Sequence, residues 1–171
     1  EIEGKNKTDV LLFSDRGTVY KVKCFDLKDH KPSDLGEYTP NLLEMEEGER
    51  ILFIHMTEDY AGKLLIGYAN GKFTQMPLKV YETKTNRRKL VNAYSTASPA
   101  VSLFFIDEDD DFVAVSNIRK VLVFNSGQVP VKTTRTNQGV QVLLSKKGSY
   151  MVSCRRLKES NIKDDTYYRN R

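Results

Sequence analysis

Groups able to do covalent or metal chemistry are scarce along this chain, whereas fixed positive charge recurs along its length. His30 and His55 have no nucleophile or carboxylate at triad spacing and no second ligand at metal spacing, so both read as structural or exposed. Cys24 and Cys154 are too few for a disulfide-stapled scaffold and fit a reducing compartment, each as a small packing residue in or at the end of a strand. The run Asp107-Glu108-Asp109-Asp110-Asp111 gathers carboxylates on one loop without converging ligands from elsewhere, so a solvated turn is expected rather than a metal site. With no glycine-rich phosphate cradle and no nucleophile–base set, no catalytic residue, metal ligand or cofactor is assigned to this chain.

The cations offer a different chemistry. Lys and Arg number 27 against 23 Asp and Glu, a formal net charge of +4 that says little by itself. Placement says more. Arg16, Lys21 and Lys23 alternate with Val19 and Val22, so one strand face is expected to be buried while the other carries charge outward. Lys72 and Lys79 sit similarly further on, followed by Arg87, Arg88 and Lys89 in a loop, where adjacent cations repel unless an anion is near. Arg119, Lys120, Lys132 and Arg135 continue the series. Such groups neutralise phosphates and release condensed counterions, giving binding that falls with salt and ignores base sequence. Solvated Lys and Arg on strand faces are the plain alternative.

Positioning them falls to β-strands. Short apolar runs at 10–13, 19–22, 51–54, 64–68, 101–106, 112–115, 121–124 and 140–144 are bounded by Gly, Asn, Asp or Pro. Asp15-Arg16-Gly17 and Ala69-Asn70-Gly71 separate paired runs, and Asn-Gly is a strong hairpin signal because its turn needs positive φ. At 171 residues, 39% hydrophobic and 29% charged, the chain has an ordinary globular composition; no signal peptide is expected, and no apolar stretch comes near the roughly 20 residues that span a bilayer.

Three hairpins repeat. The segments starting at Leu11, Leu65 and Val113 align so that Gly17, Gly71 and Arg119 fall at equivalent places, 54 and 48 residues apart. A second element repeats at 42–53 and 142–153, and the middle unit keeps only its last strand, 101–106. A period near 50 residues with about four strands per unit predicts propeller-like blades at about 9–57, 62–107 and 111–155, forming one partial domain over 1–155. Residues 156–171 show no blade pattern and read as a connector or the start of a further blade. Three such blades do not close a ring, so the chain is expected to be a piece of a longer protein.

The run Phe13-Ser14-Asp15-Arg16-Gly17-Thr18-Val19-Tyr20-Lys21-Val22-Lys23, with Asn41-Leu42-Leu43 and Gly48-Glu49-Arg50-Ile51, resembles the C-terminal domain of the A subunits of bacterial DNA gyrase and topoisomerase IV. Val129-Pro130-Val131-Lys132 and Thr134-Arg135-Thr136-Asn137-Gln138-Gly139-Val140 add to it, the latter similar to that family's Arg–Gly blade loop. The likeness covers about 9–155. It implies an all-β, propeller-like β-pinwheel whose blades exchange strands, part of a five- or six-bladed basic disc that binds and bends double-stranded DNA around its rim. It also implies a parent that is an ATP-dependent type IIA topoisomerase of the bacterial cytoplasm, associated with the nucleoid. Its ATP and magnesium chemistry would lie outside this chain. Its partners would be double-stranded DNA, the B subunit and the remainder of its own subunit, with no membrane. The gyrase heptapeptide Q-R-R-G-G-K-G is absent from this sequence, and the equivalent loop, Lys31-Pro32-Ser33-Asp34-Leu35-Gly36, lacks its arginine. On this reading the acidic run at 107–111 faces away from DNA. A protein-interaction propeller without nucleic-acid binding is the alternative, and it predicts an exposed apolar patch and salt-insensitive binding.

Overall fold

Three tight turns set the architecture. Gly17, Gly71 and Arg119 all have left-handed backbone, with φ of 71°, 79° and 61°. Each reverses the chain within one antiparallel hairpin, as turns needing positive φ do. The computed structural model describes residues 8–24, 43–85, 87–144 and 146–169. His30, the 31–36 loop, Asn41 and Leu42 therefore lie outside the described residues.

The hairpins are β1 (Asp9–Ser14) with β2 (Val19–Lys23), β4 (Lys63–Tyr68) with β5 (Lys72–Pro77), and β8 (Asp111–Ser116) with β9 (Val121–Asn125). A third strand pairs antiparallel with the first strand of each: β3 (Ile51–Thr57) with β1, β7 (Ala100–Ile106) with β4, and β11 (Met151–Arg156) with β8. The register slips at the same place in all three, beside Ser14, Tyr68 and Ser116. The repeat read in the sequence is thus a repeat of geometry, bulge included.

The fourth strand comes from elsewhere in the chain. β6 (Lys89–Leu90) follows β5 in sequence yet pairs with β2, Val19 opposite Leu90. β10 (Val140–Gln141) follows β9 yet pairs with β5, Phe73 opposite Val140. The two sheets run β3-β1-β2-β6 and β10-β5-β4-β7, and the third, β11-β8-β9, has three strands. Both donor strands close with the same further bond: Ala93 N–H donates to the Gly17 carbonyl and Leu143 N–H to the Gly71 carbonyl. This is the all-β, strand-exchanging arrangement of a β-pinwheel.

The chain forms two compact units, one of residues 1–60 with 81–94 and the other of 61–80 with 95–171. In the first, Tyr20, Val22 and Leu43 are buried with Leu12, Met45 and Ile51 against them, and Phe13 meets Tyr81 edge-on at 5.5 Å. In the second, Leu65 and Phe73 of one sheet pack on Phe112, Leu122 and Phe124 of the next, joined by Leu143 and Met151. Phe73 and Phe124 are 4.8 Å apart. Each such side chain contributes roughly 1.5–3 kcal/mol by leaving water.

Gly139 shows how closely a donor strand approaches. Its φ is +77°, and a Cβ there would fall 2.9 Å from the Thr74 nitrogen and closer still to the Phe73 carbonyl. Only glycine fits both constraints.

Several local expectations change. The apolar run at 140–144 makes only a two-residue strand. Cys24 stands one residue beyond β2, and Cys154 lies inside β11, not at its end. Strict in–out alternation fails in β4, buried at Leu64, Leu65, Ile66, Gly67 and Tyr68, because a strand covered on both faces needs apolar residues on both.

Candidate nucleic-acid interface

In the first unit most of the anticipated cations are held by the protein itself. Arg16, exposed at the β1–β2 turn, pairs with Glu46 at 3.4 Å and donates to the Glu47 carbonyl. Lys23 pairs with Asp9, which also accepts from the Tyr60 hydroxyl at 2.6 Å. Burial works against the Asp9 carboxylate, yet these donors hold it below its usual range. Lys21 donates to the Tyr81 carbonyl and the Thr83 hydroxyl and lies 5.1 Å from the Tyr60 ring, with burial lowering its affinity for a proton. Lys89 lies in β6 with its ammonium 5.7 Å from the Tyr20 ring. Arg87 and Arg88 precede it, both exposed, and the Arg88 carbonyl accepts from the Lys21 N–H. The 87–89 segment is thus a strand-donating stretch, not simply a loop.

The second unit keeps its cations more open. Segment 131–141 runs along the outer edge of β5: Val131 bridges Gln75, Lys132 N–H donates to the Gln75 carbonyl at 2.8 Å, and Gln141 lies opposite Lys72. The turn carrying Arg135 is locked by Asn137, whose side chain donates to the Thr134 carbonyl and accepts from Gly139 N–H and the Thr74 hydroxyl. Lys72, Lys132 and Arg135 therefore share one sheet edge. Lys79 is exposed on the short helical turn Leu78–Tyr81. Arg119 is exposed at the β8–β9 turn, and Lys120 donates to the Leu144 carbonyl at 3.2 Å.

The acidic run is a solvated turn only in part: Asp107, Glu108 and Asp109 are exposed, whereas Asp110 and Asp111 are half-buried. Lys63 donates to Asp109 at 3.1 Å, Arg156 to Asp110 at 2.8 Å and Arg169 to Asp111 at 2.8 Å, and Lys158 also reaches Asp110. Arg169 and Asn125 hold the Asp111 carboxyl below its usual range. Burial opposes the Asp110 charge, but Arg156, the Asp111 N–H and Lys158 together outweigh it. The guanidinium of Arg156 is also within 6 Å of the Phe104 and Phe112 rings and donates to the Phe105 carbonyl. Among the described residues no group of three or more His, Cys, Asp and Glu is placed to hold a metal ion, and no helix is long and apolar enough to cross a membrane.

One signal was passed over in the sequence. Between Asp111 and Glu159 there is no acidic residue at all, while nine Lys and Arg occur. That stretch supplies β9, the β5 edge and the exposed Lys146 and Lys147. An acid count in a sliding window would have singled it out.

No family model matches the chain. It is 24% identical over 153 residues to the DNA gyrase A protein of Borreliella burgdorferi, covering 88% of this chain and 19% of that protein. It is 27% identical over 120 residues to the DNA gyrase A protein of Aeromonas salmonicida, 69% of this chain and 13% of that one. The chain thus spans less than a fifth of these relatives. In structure it is similar to the C-terminal domain of DNA topoisomerase IV (TM-score 0.79, 23% identity, 89% of this chain and 48% of that one). It is similar also to the DNA gyrase A C-terminal domain (TM-score 0.59, 21% identity, 91% and 50%). Over most of its length, then, the chain resembles gyrase A proteins in sequence and carries the β-pinwheel fold of the C-terminal domains of DNA gyrase A and topoisomerase IV, of which it spans about half.

Proposed function

We propose that this chain is a module that binds and bends double-stranded DNA within the A subunit of a type IIA topoisomerase, gyrase or topoisomerase IV. The observation that carries this reading is the acid-free stretch between Asp111 and Glu159, borne on a fold found in the C-terminal domains of those enzymes. Of the anticipated cations, phosphate binding falls first to those whose side chains have no ion-pair or hydrogen-bond partner among the described residues: Lys72, Arg87, Arg119, Lys132 and Arg135. In this reading the blades run over about 9–57, 62–107 and 111–155, with 156–171 as a connector. The module itself is non-catalytic. Strand cleavage, ATP and magnesium belong to the remaining parts of a bacterial, nucleoid-associated enzyme, its B subunit included.

A titration of duplex DNA at several salt concentrations tests this. Affinity is expected to fall steeply with salt, to ignore base sequence, and to weaken in the Arg87→Glu, Arg88→Glu double variant. Smooth bending costs on the order of 1–6 kcal/mol, so one or two phosphates do not suffice. Binding that is insensitive to both salt and charge reversal would refute the reading. A second reading, a protein-docking module, draws support from Leu52 and Ile54, 41% and 48% exposed at alternate positions of β3. It predicts that salt-insensitive result.

A further inference from the structure

The two ends of the chain contain one corner built twice, with opposite charge. In the first unit Asp15 N–H donates to the Arg50 carbonyl, and Arg50 N–H donates back to the Asp15 carboxylate at 3.0 Å. In the second, Asn117 N–H donates to the Tyr150 carbonyl and Tyr150 N–H to the Asn117 side chain, also at 3.0 Å. Each facing turn is closed in the same way, Glu49 N–H to the Glu46 carbonyl and Ser149 N–H to the Lys146 carbonyl. Gly48 and Gly148 have φ of 77° and 81°. Even the buried anchor is shared, Leu43 in one and Leu143 in the other.

The contents differ. In the first corner Glu46 and Glu47 face Arg16, which spends its guanidinium on both. In the second, Lys146 and Lys147 occupy the places of those glutamates, Ile118 takes the place of Arg16, and neither turn contains an acidic residue. Lys146 and Lys147 are exposed, and the turn beside them carries Arg119. Arg119 has φ +61° where the two equivalent turns have glycine. A non-glycine residue there is strained. Strain retained at a surface turn whose counterparts avoid it points to a use for the side chain. Ile118, at the tip, is 55% exposed, and Leu144, whose carbonyl accepts from Lys120, 62%.

We infer that the corner formed by residues 117–120 and 146–150 is a docking site for duplex DNA, with Arg119, Lys146 and Lys147 on phosphates and Ile118 against the groove between them. The corresponding corner of the first unit neutralises itself and takes no phosphate. The inference rests on the DNA-binding reading above and refines it by naming which turn of a repeated pair meets the duplex. A duplex suits the corner because three cations with no carboxylate in either turn flank an exposed apolar tip, and a polyanion with an apolar groove floor complements both.

The test is duplex binding by the 171-residue chain across a salt series. Every phosphate no longer neutralised lowers the slope of log K against log salt by about 0.9, so the Lys146→Ala, Lys147→Ala variant is expected to lose about 1.8 and to bind about tenfold more weakly at low salt. Arg119→Gly separates binding from folding: it relieves the backbone and raises the melting temperature by roughly 1–4 °C, yet weakens binding several-fold, whereas Arg119→Lys restores it. Lys158→Ala with Lys163→Ala removes the same charge elsewhere, and Glu46→Gln with Glu47→Gln alters the sister corner; both are expected to stay within twofold. Wild-type binding that the Lys146 and Lys147 changes leave within twofold overturns the corner while DNA binding stands. A wild-type chain that fails to bind duplex overturns both.

Discussion

Replacing Gly139 with alanine tests whether the donated strand is an integral part of the second sheet. Two costs follow from its surroundings. An L-residue at φ +77° is strained by about 1–2 kcal/mol, and the new methyl group would enter the space held by the Phe73 carbonyl and the Thr74 nitrogen. The strand can relieve that clash by leaving β5. Doing so gives up the pairing of Val140 and Gln141, the Lys132 bond to Gln75 and the Asn137 bond to Thr74. At about 1 kcal/mol for each bond, detachment costs about as much as the clash it relieves. The expected loss is therefore roughly 3–5 kcal/mol in urea denaturation, whichever response is taken. Hydrogen exchange distinguishes them, since detachment deprotects the Lys132 and Leu143 amides ahead of global unfolding. A loss under about 0.5 kcal/mol with these amides still protected would refute the claim that β10 is structurally required.

Asp110→Asn removes the charge that Arg156 and Lys158 share and leaves a largely buried guanidinium without its counter-charge near two phenyl rings; about 1–2 kcal/mol of stability is expected to be lost, read by thermal melting. Acid weakens the fold in a defined window. Asp9, Glu49, Asp110 and Asp111 have folded-state pKa values held below the ordinary carboxylate range, so their contribution is complete above about pH 5 and drains away below about pH 4, as denaturation followed against pH will show. Alkali acts through Tyr20, Tyr60 and Tyr94, all pushed up by burial, Tyr94 to about 12. Their neutral forms are favoured in the folded state, so stability falls as pH rises through about 10 to 12, and Tyr94→Phe, which removes the hydroxyl's bond to the Ser14 carbonyl, costs about 1–2 kcal/mol at neutral pH while making that alkaline limb shallower.

The hairpins were legible because their determinants are local. A turn such as Asp15-Arg16-Gly17 specifies its own geometry, and the equivalence of Gly17, Gly71 and Arg119 appeared as spacing before it appeared as φ. The likeness of 42–53 to 142–153 is likewise visible there, together with the opposite charges at its centre. β6 and β10 were not legible as donor strands. Each is two residues long, too short for periodicity, and is defined wholly by a partner far away in the chain. The cations show the same limit. That Arg16, Lys21 and Lys23 carry charge is written in the sequence, but Glu46, the Tyr81 carbonyl and the Asp9 carboxylate that hold them are brought near only by the fold. Lys72, Lys132 and Arg135 come together for the reverse reason, since their shared edge exists only once β10 has docked.

Strand donation also dictates an order of assembly. Val19 waits for Leu90, and Phe73 for Val140, so while the chain emerges from a ribosome each hairpin stands with one flank of its backbone unpaired until some seventy further residues have been made. Such a flank will accept any suitable strand, including the same segment of a neighbouring nascent chain. Refolding yield should accordingly fall as protein concentration rises, with interlocked dimers as the characteristic by-product.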